Sequence, residues 1–474
     1  MILPIALYGQ MGTDGTGTVN GYYIGPYADL FNADLSGADL TGADLSFADL
    51  RFADLSNADL TDANLTSVSS GNITGVPLLP VNCKIVNGYI IGPNVDLTDA
   101  DLTGADLTGA YLSFADLTYA DLSGADLRFA DFSSADLSFA DLNGVISPYT
   151  NFSHADFTRA DLSYADLNDT NLSYADFHDA NLTGADLAYS DHTSASYHNA
   201  DLSGADLGYS QLIQADFSEA NLTGANLINN NFDYANLTRA VLSGVDLTNA
   251  WNLSSASFEY TDLSNSNLSG VQLNGVRLTN SNLSGADLSG ADLSPDWDFA
   301  SIQDPNLGAD LSLDWFYNFA TGANLSGTNL SGADLSGANL LFATLNRANL
   351  SGADLTGANL LDASLTDAII SCTTILPSEY DLAWFSSQGA IVPQQRYTVE
   401  IYSSTDLVNW SLIKSENIES FNKILFLKTL HIDASDTIET YSSTDLENWS
   451  LIKSETIDLS EDIQFLKTRL VEAE

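Results

Sequence analysis

Histidine is the residue type in this sequence whose spacing could support metal chemistry. Four of the five histidines fall between His154 and His198, and His178 lies 20 residues before His198. Imidazoles held side by side can bind a transition metal. His178 and His198 are therefore the candidate metal ligands, although outward-facing polar residues would have the same spacing. No cofactor is predicted.

Aspartate occupies the commonest charged position, directly before a Leu. Asn replaces Asp freely there, so a hydrogen bond to the nearby backbone explains the position without a charge. Asp is nevertheless concentrated, in 18 of the 25 units centred on Leu97 through Phe217 and in six of the next 25. Such a surface could recruit Ca²⁺ or Mg²⁺. The candidate acidic face comprises Asp116, Asp136, Asp156 and Asp176.

The sequence offers little for catalysis or for binding to anions. It has no nucleophile elbow, phosphate loop, HExxH or clustered Cys/His set. A general acid needs a carboxyl group in a distinct environment, whereas a repeated Asp has one environment many times. With 14 basic and 63 acidic residues the net charge is −49, which disfavours nucleic acid and anionic membranes as direct partners. A non-enzymatic protein is predicted.

Most of the chain repeats a unit of five residues: Ala, Asp or Asn, a central Leu, Ser or Thr, and a variable residue. Eight units run from Leu30 to Leu65, and the repeat resumes at Leu97 and continues, with interruptions, to Ile370. A period of five fits neither helix nor flat strand, so each unit needs a turn. Ala and Leu share a face, and one unit cannot bury them alone, so units must stack.

The variable position shows how many units complete a coil. Glycine recurs there at multiples of 20 from Gly104 to Gly244, with Tyr164 as the exception. A second column carries aromatic residues. Four units therefore form one four-sided coil, and residues 20 apart lie in adjacent layers, about 4.8 Å apart. This second column contains Phe129, Tyr149, Tyr189 and Tyr209 and is interrupted by Asp169.

These units closely resemble the pentapeptide-repeat family. The resemblance covers about two thirds of the chain and implies an all-β fold, a right-handed quadrilateral β-helix. Some members resemble DNA in shape and charge and bind type II topoisomerases. The resemblance therefore implies one alternative function for the Asp-rich half, that of a DNA-mimicking topoisomerase inhibitor.

A duplicated motif predicts two solenoid segments. VNGYYIGP at Val19–Pro26 recurs as VNGYIIGP at Val86–Pro93, each leading into a repeat, and both are predicted to cap a stack. The predicted organisation is an N-terminal segment with a cap (1–27), a short solenoid (28–67), a linker with a second cap (68–94), a long solenoid (95–371, irregular at 294–322) and a β-rich tail (372–474).

Some units depart from the pattern. Ser147, His192 and Tyr197 occupy central positions and are expected to bulge. The segment 294–322 loses the repeat and gathers aromatic residues, which either fill a gap in irregular coils or project as a binding loop. The partner-binding candidates there are Trp297, Trp315, Phe316 and Tyr317.

The tail contains a second, longer repeat. Tyr402–Ile418 matches Tyr441–Ile457 at 15 of 17 positions with an offset of 39. Alternating β-branched residues predict strands, so each copy of the tail repeat is predicted to form a small β-unit. These small modules look similar to C-terminal appendages of bacterial repeat proteins.

The sequence therefore predicts a scaffold or protein-interaction protein with an acidic solenoid surface, whose partner is a protein. The alternatives are the topoisomerase inhibitor and an acidic surface protein that binds divalent cations. No signal peptide or transmembrane segment is predicted, which slightly favours the cytoplasm. The oligomeric state is left open.

Overall fold

The repeats form one long stack of coils with a β-helix-like fold. The structure is a computed structural model that describes residues 12–295, 322–371 and 373–392, together with the backbone of six strands between Arg396 and Glu472. In most units, the residue before the central Leu forms a parallel β-bridge with the residue 20 positions later, as Asp116 does with Asp136. Four such bridges in each coil give four ladders.

Each side of the stack is named here by the ladder it carries. Face A contains Asp116, face B contains Asp121, face C contains Asp126 and face D contains Asp131. The corner that follows each face takes the same letter, so corner C joins face C to face D, and corner D joins face D to face A.

A tight turn closes every unit. In most units, the carbonyl of the central Leu accepts a hydrogen bond from the N–H three residues later, as Leu202 does from Ala205 over 3.0 Å. The second residue after the Leu has a positive φ, such as 68° at Gly204 and 60° at Tyr174. A type II turn requires this conformation and favours glycine there. The variable position of the sequence repeat is therefore a corner.

The core consists of the Ala and central residues of all four faces. Leu202 and Ala205 are at most 1% exposed. Along face A, aromatic rings replace Leu and stack on one another with centroids 4.7 Å apart for Phe157 and Phe177 and for Phe177 and Tyr197. The interior is thus continuous from coil to coil.

The prediction that units with unusual central residues bulge is wrong. The units of Ser147, His192 and Tyr197 keep the bridge and turn of their neighbours. His192 Nδ1 lies 2.6 Å from the Tyr197 hydroxyl, and its Nε2 lies 3.3 Å from the Leu187 carbonyl oxygen. The Ser147 hydroxyl donates to the Asp166 carbonyl over 2.8 Å. Polar groups with internal partners can be buried without distortion.

A second internal feature is a polar ladder at corner C. The backbone N–H of Thr170 donates to Ser190 Oγ over 3.0 Å, that of Ser190 to Ser210 Oγ over 3.2 Å, and that of Ser210 to Asn230 Oδ1 over 2.9 Å. Side chains thus replace the turn carbonyl as acceptors. Asn230 Nδ2 ends this ladder without a hydrogen-bond partner among the described residues.

The segment 68–94 differs from the linker expected between two solenoid segments. Ser69 bridges both Asp49 in the coil below and Asp96 in the coil above. One ladder therefore passes from the first block of repeats into the second. The physical reason is that Val68 and Ile73 are buried and supply core positions where the sequence motif is lost.

The duplicated motif forms two equivalent hairpins. The first pairs β1 (Gly17–Val19) with β2 (Tyr22–Ile24), and the second pairs β3 (Lys84–Val86) with β4 (Tyr89–Ile91). The Tyr22 hydroxyl accepts the N–H of Asp34 over 3.3 Å, and the Tyr89 hydroxyl accepts that of Asp101 over 3.1 Å. Each hairpin thus supplies an acceptor to the first face B unit of the block of repeats that follows it.

An extra residue near Trp251 is absorbed locally. Bridges are spaced by 20 from Asp96 to Trp251, but Asn236 pairs with Ser257, one position beyond that spacing. A 3-10 helical turn at Leu253–Ser255 contains the addition. The ladders therefore continue above it.

The aromatic segment 294–322 interrupts the sequence repeat but not the stack. Arg277 bridges Asn324, and the N–H of Ala323 donates to the Leu293 carbonyl over 2.8 Å, which is the usual hydrogen bond of a turn. The described residues on either side of this segment are therefore consecutive in the stack. The four aromatic candidates at 297 and 315–317 lie outside the described residues.

Deleting residues 295–321 is expected to leave the fold intact. Joining Ser294 to Gly322 creates the regular unit Leu-Ser-Gly-Ala-Asn-Leu, and removing a long insertion lowers the entropy cost of closing it. Thermal unfolding should therefore occur at or above the temperature of the parent chain. As a control, deleting 200–226 removes a segment of equal length but shifts the register by two and should unfold the upper coils. A large loss of stability in the first variant would contradict the account.

The stack ends in a short cap. Helix α1 (Leu382–Ser387) begins with the Asp381 carboxylate accepting the N–H of Trp384 over 2.8 Å. Phe385 is fully buried, and Ile391 bridges Ile369 in the last coil. Residues up to Val392 thus complete the stack, beyond the predicted boundary at 371.

The described part of the tail contains six antiparallel strands in two sheets. They are β5 (Arg396–Ser404), β6 (Ser411–Glu419), β7 (Phe426–Ile432), β8 (Thr437–Ser443), β9 (Ser450–Thr456) and β10 (Phe465–Glu472). The strand orders are β10-β5-β6 and β7-β8-β9.

Candidate partner-binding face

Face D carries few charges. Its ladder has two carboxylates among eight residues, whereas the part of the face A ladder from Asp96 to Asp176 consists of aspartates alone. Burying a charge costs much more than burying an amide. Face D is therefore easier to cover with a partner. Its ladder runs through Tyr111, Asp131, Asn151, Asn171, Asp191, Gln211, Asn231 and Trp251.

The amides of face D are held in place by their neighbours. Asn151 Nδ2 donates to Asp131 Oδ1 over 3.0 Å, and Asn171 Nδ2 donates to Asn151 Oδ1 over 3.0 Å. Asn171 Oδ1 also accepts the N–H of Ser173. These bonds fix the side chains before any partner arrives, so binding would order few of them.

Corner C borders face D with exposed aromatic rings. Phe129 and Tyr149 stack with centroids 5.3 Å apart, and Tyr189 and Tyr209 stack with centroids 5.1 Å apart. Each of the four side chains is more than half exposed. Ring edges and hydroxyls therefore face solvent along this corner.

Corner D borders face D on its other side and is also aromatic. His154 and Tyr174 stack with centroids 4.8 Å apart and planes 4° apart. Phe114 and Tyr234 are 64% and 68% exposed. Exposed rings thus line both edges of a weakly charged face, and aromatic residues are the ones enriched in protein interfaces.

Corner B provides the contrast. Glycine occupies it in most coils, and a Cβ added at Gly124 or Gly204 would meet no atom within 4 Å. Tyr164 is the exposed aromatic exception there, at 70%. The aromatic corners are therefore not required by the turn, which glycine satisfies at lower strain.

The predicted acidic face is a single ladder on face A. Asp116, Asp136, Asp156 and Asp176 bridge one another in consecutive coils. The four residues named from the sequence therefore lie on one face, in consecutive coils.

The aspartates also stabilise the turns. Asp121 Oδ1 accepts both the hydroxyl and the N–H of Ser123, and these bonds lower the pKa of Asp121. Asn in this position accepts the same N–H, which confirms the structural interpretation of the Asp/Asn exchange. Where Ala188 offers no hydroxyl, burial raises the pKa of Asp186.

The two candidate metal ligands lie at corner A. The rings of His178 and His198 stack with centroids 5.1 Å apart and planes 9° apart. His178 Nε2 lies 3.6 Å from Asp179 Oδ2, and His198 Nδ1 lies 2.9 Å from Ser218 Oγ. Within the described ranges, no group of three or more His, Cys, Asp or Glu side chains is placed to hold a metal ion.

Sequence reasoning missed the ion pairs of corner A. Arg159 Nε lies 3.2 Å from Asp179 Oδ2, and its guanidinium lies 5.6 Å from the Phe139 ring centroid. Arg239 similarly pairs with Glu219 over 3.1 Å. Each of these contacts joins residues 20 positions apart in adjacent coils. Comparing the variable positions at that spacing in the sequence could therefore have revealed the ion pairs.

Comparison with known proteins identifies the family. The model of pentapeptide repeats matches eight copies, within residues 28–66, 95–146, 150–188, 198–294 and 320–374, which is more than half of the chain. The chain belongs to the pentapeptide-repeat family. No curated protein matches it.

Several solved structures are similar to this pentapeptide-repeat protein. HetL, a pentapeptide repeat protein involved in heterocyst differentiation regulation in the cyanobacterium Nostoc, is 35% identical over 53% of this chain and 90% of HetL, with a TM-score of 0.24. Another pentapeptide repeat protein from Nostoc is 33% identical over 28% of this chain and 84% of its own, with a TM-score of 0.21.

QnrB1, a plasmid-mediated fluoroquinolone resistance protein, is more distant. It is 16% identical over 60% of this chain and 86% of its own, with a TM-score of 0.15. Separately, none of the helices in the described part of the chain is long and apolar enough to cross a membrane.

Proposed function

We propose that this protein is a non-enzymatic scaffold, a right-handed quadrilateral β-helix that binds another protein through face D. The observation that carries the proposal is the pairing of exposed aromatic rings on both edges of face D with a largely uncharged ladder between them. The face extends over eight ladder residues from Tyr111 to Trp251, or about 34 Å at one layer per 4.8 Å.

The chemistry of face D suits a protein partner. Stacked rings offer large contact areas and lose little rotamer freedom on binding. Each ring of corner C stacks on one neighbour, which orients the two rings of a pair before a partner binds. The acidic neighbouring faces attract a partner with basic residues around its contact patch.

Replacing the four aromatics of corner C by glycine tests this proposal. Phe129, Tyr149, Tyr189 and Tyr209 all have φ near 60°, a conformation that glycine adopts without strain, so the variant should fold. If each ring contributes about 1–2 kcal/mol, partner affinity should fall by at least about 100-fold. The measurement is quantitative capture from cell extract, with proteins identified by mass spectrometry.

Tyr164→Gly is the matched control, because it removes an exposed tyrosine of the same backbone conformation from corner B. A partner specific to face D is captured by the parent chain and by Tyr164→Gly and is lost from the corner C variant. A capture profile that is equal in all three proteins would overturn the proposal.

The face A ladder favours a second candidate function, inhibition of a type II topoisomerase by DNA mimicry. Its uninterrupted aspartates place a carboxylate in every layer from Asp96 to Asp176. Changing Asp116, Asp136, Asp156 and Asp176 to Asn keeps the turn hydrogen bonds and removes four charges. Salt-sensitive inhibition of gyrase supercoiling that is lost in this variant would support mimicry, and no inhibition at micromolar protein would reject it.

A further inference from the structure

The two copies of the tail repeat exchange their last strands within one chain. The first copy supplies β5, β6 and β7, and the second supplies β8, β9 and β10. If each copy formed a sheet from its own three strands, β7 would pair with β5 and β10 would pair with β8. Instead β10 pairs with β5 and β7 pairs with β8.

The two exchanged pairings are equivalent in register. Phe465 lies opposite Ser404, and Phe426 lies opposite Ser443. The two Phe are related by the offset of the tail repeat, as are the two Ser, and the same relation holds along both pairs of strands. β7 and β10 begin with the same four residues, Phe-Leu-Lys-Thr. Either closing strand therefore fits either receiving strand.

The two pairings differ in the length of chain that they close. Four residues, 433–436, connect β7 to β8, whereas 60 residues, 405–464, separate β5 from β10. The entropy cost of closure rises with loop length. The β7–β8 hairpin must form within one chain, but β5 can accept its partner from another chain at little extra cost.

We propose that β10 is an exchangeable strand and that the tail joins two copies of this chain by reciprocal exchange of β10. Each β5–β6 hairpin then receives β10 from the other copy, with the same backbone pairs as in the single chain. Exchange of identical elements gives a closed two-fold dimer. The partner is thus a second copy of this chain, whether or not face D binds another protein.

The protein concentration during folding decides whether β5 pairs with β10 of its own chain or with β10 of another chain. A tethered strand has an effective concentration of about 1 mM, so exchange becomes comparable to closure within one chain when chains fold together near that concentration. Reversal requires unpairing a whole strand. Dimers formed during folding should therefore persist after dilution.

Cysteine pairs in the full-length chain distinguish the two closures. Val399→Cys with Leu470→Cys joins facing residues of β5 and β10, in a background that carries Cys83→Ala and Cys372→Ser. Directly paired Cα atoms lie within disulfide range. The protein is unfolded, refolded at about 10 μM or about 1 mM, oxidised and analysed by denaturing electrophoresis without reductant.

The matched control is Ile438→Cys with His431→Cys, which occupies the equivalent positions of β8 and β7. The proposal predicts that covalent dimer from the β5–β10 pair rises at least about 10-fold with concentration, whereas the control stays monomeric. The chain without added cysteines, refolded at the higher concentration and diluted, should remain dimeric in light scattering.

Three outcomes would overturn the proposal. The first is cross-linking of the β5–β10 pair within single chains at both concentrations, and the second is as much dimer from the control pair as from the test pair. Failure of both pairs to cross-link would contradict the strand pairing itself.

Discussion

Phe177→Ala is expected to destabilise the coils around it by about 3–5 kcal/mol. The ring is fully buried, and its centroid lies 4.7 Å from those of both Phe157 and Tyr197. Truncation removes both stacking contacts and leaves a cavity in a core that flanking layers cannot easily fill. Because each coil contacts only its neighbours, the loss should be local. Hydrogen exchange of peptides from successive coils measures it.

Tyr164→Gly provides the opposite control, since it removes an exposed ring at φ 57°. Relief of the left-handed conformation should leave stability unchanged or raise it by about 1 kcal/mol. Two results would show that the stacked core is not what stabilises this region. One is a loss of unfolding free energy below about 1 kcal/mol in Phe177→Ala, and the other is hydrogen exchange that accelerates equally in distant coils.

Lowering the pH from about 6.5 toward 4 is expected to destabilise the stack through His192. Burial lowers the pKa of His192 from 6.5 to about 4. The neutral ring is therefore retained in the folded state while the unfolded chain takes up a proton, so stability falls as pH falls between these two values. One such proton changes the unfolding free energy by at most about 1.4 kcal/mol per pH unit, or about 3 kcal/mol in total.

The double variant His192→Leu, Tyr197→Phe isolates this contribution. Leu172 and Leu212 occupy the position of His192 in adjacent coils, and Phe177 and Phe217 occupy that of Tyr197, so both replacements fit. Urea unfolding between about pH 5 and 7 avoids the aspartates of lowered pKa, which titrate lower. The variant should lose the slope of the parent chain. An unchanged slope would contradict the assignment to His192.

The coil and its corners could be predicted from the sequence because they depend on local, repeated choices. The period of 20 in the glycine column fixes four units per coil, and Leu202 and Ala205 are buried as their places in the repeat require. Strict periodicity leaves few alternative folds, so family and fold class followed from the same residues.

The departures were harder to predict because they depend on contacts between non-equivalent units. His192 and Tyr197 each break the pattern, and only their contact across one corner shows that they satisfy one another. The junction at 68–94 keeps one ladder without the motif. In the tail, β7 and β10 begin with the same four residues, so the strand sequences alone do not decide which first strand each one joins.

Face D could not be identified from the sequence for a different reason. The aromatic column of Phe129, Tyr149, Tyr189 and Tyr209 was visible in the sequence. That it borders the least charged of the four ladders, opposite a second aromatic corner, follows only from the order in which faces meet. The aromatic candidates of the 294–322 segment stay predictions.

The most direct test of the proposed function is photo-cross-linking from two matched tyrosines. A photoreactive phenylalanine analogue replaces Tyr149 at corner C or Tyr164 at corner B, which are 58% and 70% exposed and have similar φ angles of 63° and 57°. A partner bound on face D predicts a defined protein adduct from position 149 and none from position 164. Equal labelling at both positions, or no adduct at 149, would contradict the assignment of face D as the binding surface.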